Sequence, residues 1–454
     1  MKTSKHFLGG GLLIGLLAAG HASAAATAQE LARLGNGLTP IGAEQAASAD
    51  GRIPAWQGGL PVDAGQVQAN GQVSDPYAGE KPLFVISAAN YPQYQEHLTP
   101  GQIALLKRYP DYRLPVYPSH RSVALPDYVK QAALHNAGAT RLVDGGNGLE
   151  DFQGAVAFPV PHDGLEAIWN HVTRYRGKSL SVTTDSVAPQ ANGDYTVTST
   201  DRRFTLRDQV SDYRPGQNDH VLFYYFQKIT APAREAGEVL LVHETIDQVK
   251  EPRQTWIYNA GQRRVRRAPD VAYDAVGPGT SGLRTADNLD MYNGAPDRYD
   301  WKLVGKKEVY IPYNSYPLTS PTLKYKDLVQ AGHLNQDHTR YELHRVWEVV
   351  ATLKPGARHV YAKRHFFIDE DSWAIAEVDQ YDNRGELWRV GEAHAYFRYD
   401  AKVPLNAAEV FHDLQSGRYI ASGLINEERK GYDFSYRASS SDYTPGALRS
   451  EGVR

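Results

Sequence analysis

Histidines and carboxylates are what a catalytic or metal centre would be built from, and their spacing in this chain argues against one. His333 and His338 flank the segment LNQD, and His344 stands four residues before Glu348. On a helix, a His/Glu pair at that spacing can hold one metal ion. The run 343–353 reads instead as a strand, where residues four apart share a face but stand about 13 Å from each other, too far for a single ion. Asp369, Glu370 and Asp371 lack the alternating ligand spacing of a calcium loop, so the triplet reads as a solvated turn. The chain has no GxSxG elbow, no HExxH, no P-loop and no cysteine nucleophile. No carboxylate pair has a spacing that marks it for glycoside chemistry. These residues predict no catalytic group, no metal and no cofactor; a hydrolase acting on envelope polymers is the weakest of the readings they leave.

Binding chemistry is better supplied. The stretch 253–269, RQTWIYNAGQRRVRRAP, reads as two strands joined by a turn at Asn259, Ala260 and Gly261. Its first arm sets Trp256 and Tyr258 against Thr255 and Ile257; its second sets Arg263, Val265 and Arg267 against Arg264 and Arg266. If one face lines a cavity, an arginine pair is desolvated there and needs acceptors. A solvated basic ribbon is the alternative. Phe223 and Tyr225, Trp347, Phe366 and Trp388 complete a candidate set for a concave ligand-binding face: Phe223, Tyr225, Trp256, Tyr258, Arg264, Arg266, Trp347, Phe366 and Trp388. Core packing accounts for each aromatic equally well.

The elements that would position these residues follow from the pattern along the chain. Residues 1–24 read as a cleavable signal peptide, with Lys2 and Lys5, a short apolar run over 7–19, and Ala22-Ser23-Ala24 as cleavage site. The chain has no cysteine, which excludes both disulfides and lipidation at the mature N-terminus, so stability must come from its own core. The expected location is the periplasm, with association with the outer membrane left open. A net charge of -3, from 49 basic and 52 acidic residues, gives no bulk attraction to nucleic acid. The 29 tyrosines suit strands and surfaces that touch amphipathic ligands.

Residues 25–148 are too dense in proline for long helices or central strands and read as an arm wrapping a neighbouring domain, with helices from Thr99-Pro100 to Arg108 and over 126–135. Residues 163–175 carry a helical apolar stripe, and from 194 onward the period changes to that of strands. Strands are predicted over 195–208, 220–229, 237–246, 253–259 and 262–269, then, after a loop-rich insertion at 270–298, over 301–310, 343–353, 358–368, 373–381 and 387–399. A long loop in a compact domain serves as a lid or partner surface. Ala374, Ala376 and Val378, with Gly391, Ala393 and Ala395, form a small-residue face on which the 163–175 helix would pack. A helix over 407–414 and a tail within 401–454 close the chain. The fold class is mainly β (α+β): a large curved antiparallel sheet over 149–400, a half-barrel wrapped around helices, with a long Pro-rich N-terminal arm.

The hairpin, with its aromatic strand, turn and V-R-R stretch, resembles the periplasmic lipoprotein carriers and their outer-membrane receptor relatives. More closely, LTPIGAEQAASADGRIPAW, EKPLFVISAAN, LTPGQIALLKRYP, GLEAIWNHVTRYRG, GAPDRYDWKLVGKKE and YTPGALRSEGVR resemble an uncharacterised proteobacterial envelope family described as outer-membrane lipoprotein-sorting-like. The likeness covers nearly all of the mature chain. It implies a carrier-like half-barrel for a lipid or other apolar molecule. As partners it implies an inner-membrane exporter of the resistance-nodulation-division type and an outer-membrane companion protein. A structural accessory docking such an exporter is the second function it allows. This chain is far longer than a lipoprotein carrier, so its cargo need not be a lipoprotein.

Overall fold

A computed structural model describes residues 26–453 apart from 270 and 272; the expected signal peptide lies outside them. The N-terminal region contributes α1 (Ala28–Arg33), β1 (Phe84–Ser87), α2 (Pro100–Arg108), β2 (Arg113–Val116) and α3 (Asp127–Ala139), then a small sheet of β3 (Arg141–Val143) and β4 (Gly148–Glu150). Helix α4 (Gly164–Thr173) leads into a meander: β5 (Ser179–Val187), β6 (Val197–Leu206), β7 (Val221–Ala231), β8 (Val239–Thr245), β9 (Gln254–Asn259) and β10 (Arg264–Arg267). Beyond the insertion come β11 (Tyr299–Pro312), the single-turn α5 (Tyr325–Leu328), and β12 (Tyr341–Leu353). Then follow β13 (Lys363–Asp369), β14 (Ile375–Tyr381), β15 (Leu387–Arg398), β16 (Val403–Asp413), β17 (Arg418–Leu424) and α6 (Pro445–Val453).

Fifteen strands form one sheet in the order β1-β2-β12-β13-β14-β15-β16-β17-β5-β6-β7-β8-β9-β10, with β11 along the other side of β12. Every pairing is antiparallel except that of Val116 in β2 with Tyr341 in β12. The ladder ends at β10 on one side and at β1 and β11 on the other, so the sheet coils without closing: a half-barrel. β17 pairs with β5 and joins the two meanders.

Residues 407–414 are not helical. Val403–Asp413 is a strand held between β15 and β17, and Ala407 is the extra residue of a bulge, since His394 pairs with Ala408 and Ala395 with Asn406. The helical propensity of Ala-Ala-Glu yields to ladder bonds on both sides.

Helix α4 is a core helix. Asp163 caps it, its carboxylate accepting the Glu166 N–H at 2.8 Å, and nearly every residue of the helix is buried. It packs most closely on β11 and β12 and touches β14 through His171. Gly164 permits the approach, because a Cβ there would stand 2.7 Å from the Lys302 backbone nitrogen.

The N-terminal region binds the opposite face of β14 and β15. Thr99 caps α2 and its hydroxyl also donates to Glu377, while the Gly101 N–H donates to Asp379 at 3.1 Å. Tyr112 donates to Glu392, and Val390 packs with Leu105, Leu106 and Tyr112. Burial pushes the Asp379 carboxyl up to about 7, against the pull of the Gly101 N–H and Lys363, and with Glu392 adding repulsion. Glu377 is raised well above its usual range by burial and by Asp379. The folded chain therefore holds a proton at Asp379 that the unfolded chain has released, and this contribution falls as pH rises from about 4 to about 7. Asp379→Asn removes the titration while keeping an acceptor for Gly101. The urea stability of the variant should gain on the wild type across that window by up to about 1.4 kcal/mol per pH unit; a constant difference between the two proteins would refute it.

Candidate functional site

On the concave face, alternation puts one row of side chains from successive strands inward: Leu180 and Val182 of β5, Arg202 and Phe204 of β6, Phe223 and Tyr225 of β7, and Leu240 and Val242 of β8. Leu180 faces Phe204, Phe204 faces Tyr225, and Tyr225 faces Val242 across the ladders. Leu405 and Glu409 of β16, Ser422 of β17 and Tyr432 close the opposite wall. The result is a mainly apolar cavity of about 150 Å³, which shares Phe223, Tyr225, Leu289 and Asn293 as lining with a second space of about 40 Å³ beside it. It lies where α4 leaves the concavity unfilled.

The insertion forms its roof, and the roof is tied down. Residues 284, 287, 290 and 293 recur at intervals of three, as R-x-x-D-x-x-D-x-x-N, and each anchors to the barrel. Arg284 reaches Glu409 at 3.4 Å. Asp287 binds Arg364 at 2.5 Å and His359 at 3.0 Å. Asp290 binds Arg174 and, at 2.6 Å, Arg176. Asn293 donates to Glu244 at 2.9 Å, and Glu244 also pairs with Arg253 at 2.7 Å. Burial would raise the Asp290 carboxyl, but the two guanidiniums overcome it and hold the group well below the usual carboxylate range. His171 at the end of α4 is kept neutral by burial and by Arg174. Its Nδ1 accepts the Ile375 N–H at 3.1 Å, which leaves Nε2 to donate to the Asp290 carbonyl at 2.9 Å.

Of the residues expected on this face, Phe223 and Tyr225 line the cavity and the other seven lie elsewhere. Trp256 and Tyr258 point to the convex side, beneath α6, where a side chain at Gly452 would meet the Tyr258 ring at 2.2 Å. Arg264 and Arg266 share the concave-side face of Ile257 but stand exposed on the edge strand β10, where water solvates them. Trp347 stacks on Trp373 with centroids 5.9 Å apart, and Phe366 is core against Trp301 at 5.8 Å. Trp388 is held by Asp413 at 3.0 Å and by Arg389 over its ring at 4.3 Å. The cations that line the main cavity are Arg174, Arg176, Arg202 and Arg203, while Arg284 lines the adjoining smaller space.

The triplet 369–371 is buried, not solvated. Arg121 binds Asp371 at 2.6 Å, while Lys306 and Arg345 bind Glu370 at 2.8 and 3.3 Å, so the turn locks the N-terminal region to the barrel. Ligand atoms of His344, Asp369 and Asp371 lie within 4.8 Å of one another. These carboxylates are already taken up by Arg121, Ser372 and Tyr313. His344 pairs with Glu342, and Glu348 with His365, in keeping with the strand spacing.

A family model described as "Protein of unknown function (DUF1329)" matches residues 85–449. An uncharacterised protein of Pseudomonas aeruginosa is 60% identical over 455 residues, covering 100% of both chains. Among solved structures the chain is similar to a domain from Vibrio parahaemolyticus described as an outer membrane lipoprotein-sorting protein (12% identity, TM-score 0.43, 63% of this chain and 98% of that one). It is also similar to a DUF1329 family protein from Desulfovibrio piger (13%, TM-score 0.41, 60% and 92%) and a LolA superfamily protein from Nitrosomonas europaea (11%, TM-score 0.36, 60% and 92%).

Proposed function

This chain belongs to the DUF1329 family, and we propose that it is a periplasmic binding or carrier protein that houses an apolar molecule between the half-barrel and its roof. The observation that carries the reading is the cavity: apolar walls from four consecutive strands, closed by an insertion with an anchor at every third residue. Unfilled apolar space lowers the stability of a folded protein, so a cavity with a dedicated roof is better explained by an occupant than by a packing fault. On this reading the signal peptide delivers the chain to the periplasm, where an exporter of the resistance-nodulation-division type and an outer-membrane companion are its candidate partners in transfer between the membranes. No helix among the described residues is long and apolar enough to cross a membrane.

Purified protein should take up an uncharged naphthylamine dye with a rise in fluorescence. Val182→Trp and, from the opposite wall, Leu405→Trp should each lower the dye affinity at least about tenfold, since a ring in a space of this size displaces its occupant. Thermal melts of both variants separate occlusion from unfolding. If dye uptake is absent, or unchanged in two folded variants, the carrier reading fails. An adaptor that docks an exporter would instead retain its membrane partners in pull-downs with the cavity blocked.

A further inference from the structure

The cavity is not uniformly apolar. Arg202 lies on its wall two residues from Phe204, directly across β5 from Val182 and across β7 from Gln227. Its Nε is buried without a hydrogen-bond partner. The neighbouring cations are matched within the protein: Arg174 and Arg176 by Asp290, and Arg284 by Glu409. Arg202 forms no such ion pair among the described residues, and Glu409, on which its charge acts, is paired with Arg284 and raised by burial toward its neutral form. The Nε of Arg284 is likewise buried and unpartnered. Guanidinium donors left open beside an apolar wall are costly unless something accepts from them.

Resting on the carrier reading above, we propose that the natural ligand is an anionic amphiphile, a single apolar chain or ring bearing one carboxylate or phosphate. Its acid group would accept from Arg202 and Arg284, and its apolar part would lie along Leu180, Phe204, Phe223 and Leu405. Charge complementarity selects the head, because an oxyanion supplies acceptors for the two buried Nε groups that have none. Volume limits the tail: a space of about 150 Å³ takes a ring or one chain segment, not the several chains of a bulk membrane lipid.

Displacement of the dye at neutral pH tests this with lauric acid and lauryl alcohol, which share a chain and differ in charge. The acid should displace dye from the wild type at a concentration at least about tenfold lower than the alcohol. Arg202→Gln should bring that ratio close to one, Arg202→Lys should retain most of it, and Glu409→Gln should widen it. Long-chain alkyl phosphate in place of the acid distinguishes a phosphate from a carboxylate head. Equal displacement by acid and alcohol in the wild type, or an unaltered ratio in a folded Arg202→Gln protein, overturns the proposal and leaves the apolar carrier standing. Displacement by neither overturns both.

Discussion

Asp287→Ala is expected to destabilise the protein by about 3–5 kcal/mol, read as a fall in the midpoint of urea unfolding. Its carboxylate is the counter-ion of Arg364, which is fully buried and ringed by Tyr292, Tyr299 and Tyr361 at 5.4, 5.2 and 5.1 Å. Among the described residues Arg364 has no second ion-pair partner, and its Nε and Nη1 already lack hydrogen-bond partners. Aromatic faces soften the burial of the cation but do not replace a carboxylate. His359 and the Thr285 hydroxyl would also lose their acceptor. Asp287→Asn, which keeps an acceptor and loses the charge, should fall between the wild type and alanine. Thr285→Ala should cost only about 1 kcal/mol. Since Asp287 is one of the roof anchors, dye affinity should drop with the stability. A loss below about 1 kcal/mol would mean that Arg364 is compensated by other groups.

The same residue shows why the anchors of the roof were not legible in the sequence, although the insertion itself reads there as a lid or partner surface. A run at intervals of three, Arg284, Asp287, Asp290 and Asn293, sits in a segment without apolar periodicity, and its partners are between 49 and 125 residues away. Nothing local distinguishes these carboxylates from solvated ones. The spacing itself was the available signal, and it marks a segment with one side turned toward buried partners.

The strands of the sheet were more legible, because alternation is a local property. The predicted runs 301–310, 343–353 and 387–399 differ from Tyr299–Pro312, Tyr341–Leu353 and Leu387–Arg398 by at most two residues at each end. The half-barrel class follows from them, and the family model and the Pseudomonas relative show that the chain belongs to the DUF1329 family. Alternation fails where a bulge breaks the period, as at Ala407. It also fails where polar residues fill both faces, as in SLSVTTDSV of β5, whose Ser179 and Thr184 are buried by their neighbours. Cavity chemistry was misplaced for a different reason. The arginines that stand out in sequence are those clustered on β10, whereas Arg202 is inconspicuous among DRRF. A cluster on an edge strand is solvated; one arginine in mid-sheet is not.

Trp169→Ala is expected to cost about 3–5 kcal/mol as well, and the reason bears on how a half-barrel comes to hold a cavity at all. An open curved sheet needs something in its concavity, and here α4 fills the side of β11 and β12, with Trp169 buried in the main core and its indole donating to the Gly146 carbonyl at 2.9 Å. Truncation removes the largest side chain of that wedge and leaves the carbonyl unmet, while alanine's higher helix propensity keeps the helix itself intact. The loss is therefore one of packing between helix and sheet. Trp169→Phe preserves most of the buried area and should cost only about 1–3 kcal/mol, largely for the unsatisfied carbonyl. Urea titrations of the two variants separate these contributions. Because α4 also ends in the segment carrying Arg174 and Arg176 to the cavity floor, dye affinity should weaken more in the alanine variant than in the phenylalanine one. If both variants unfold at the wild-type midpoint, α4 is a passenger in the concavity and the cavity's walls are set by the sheet alone.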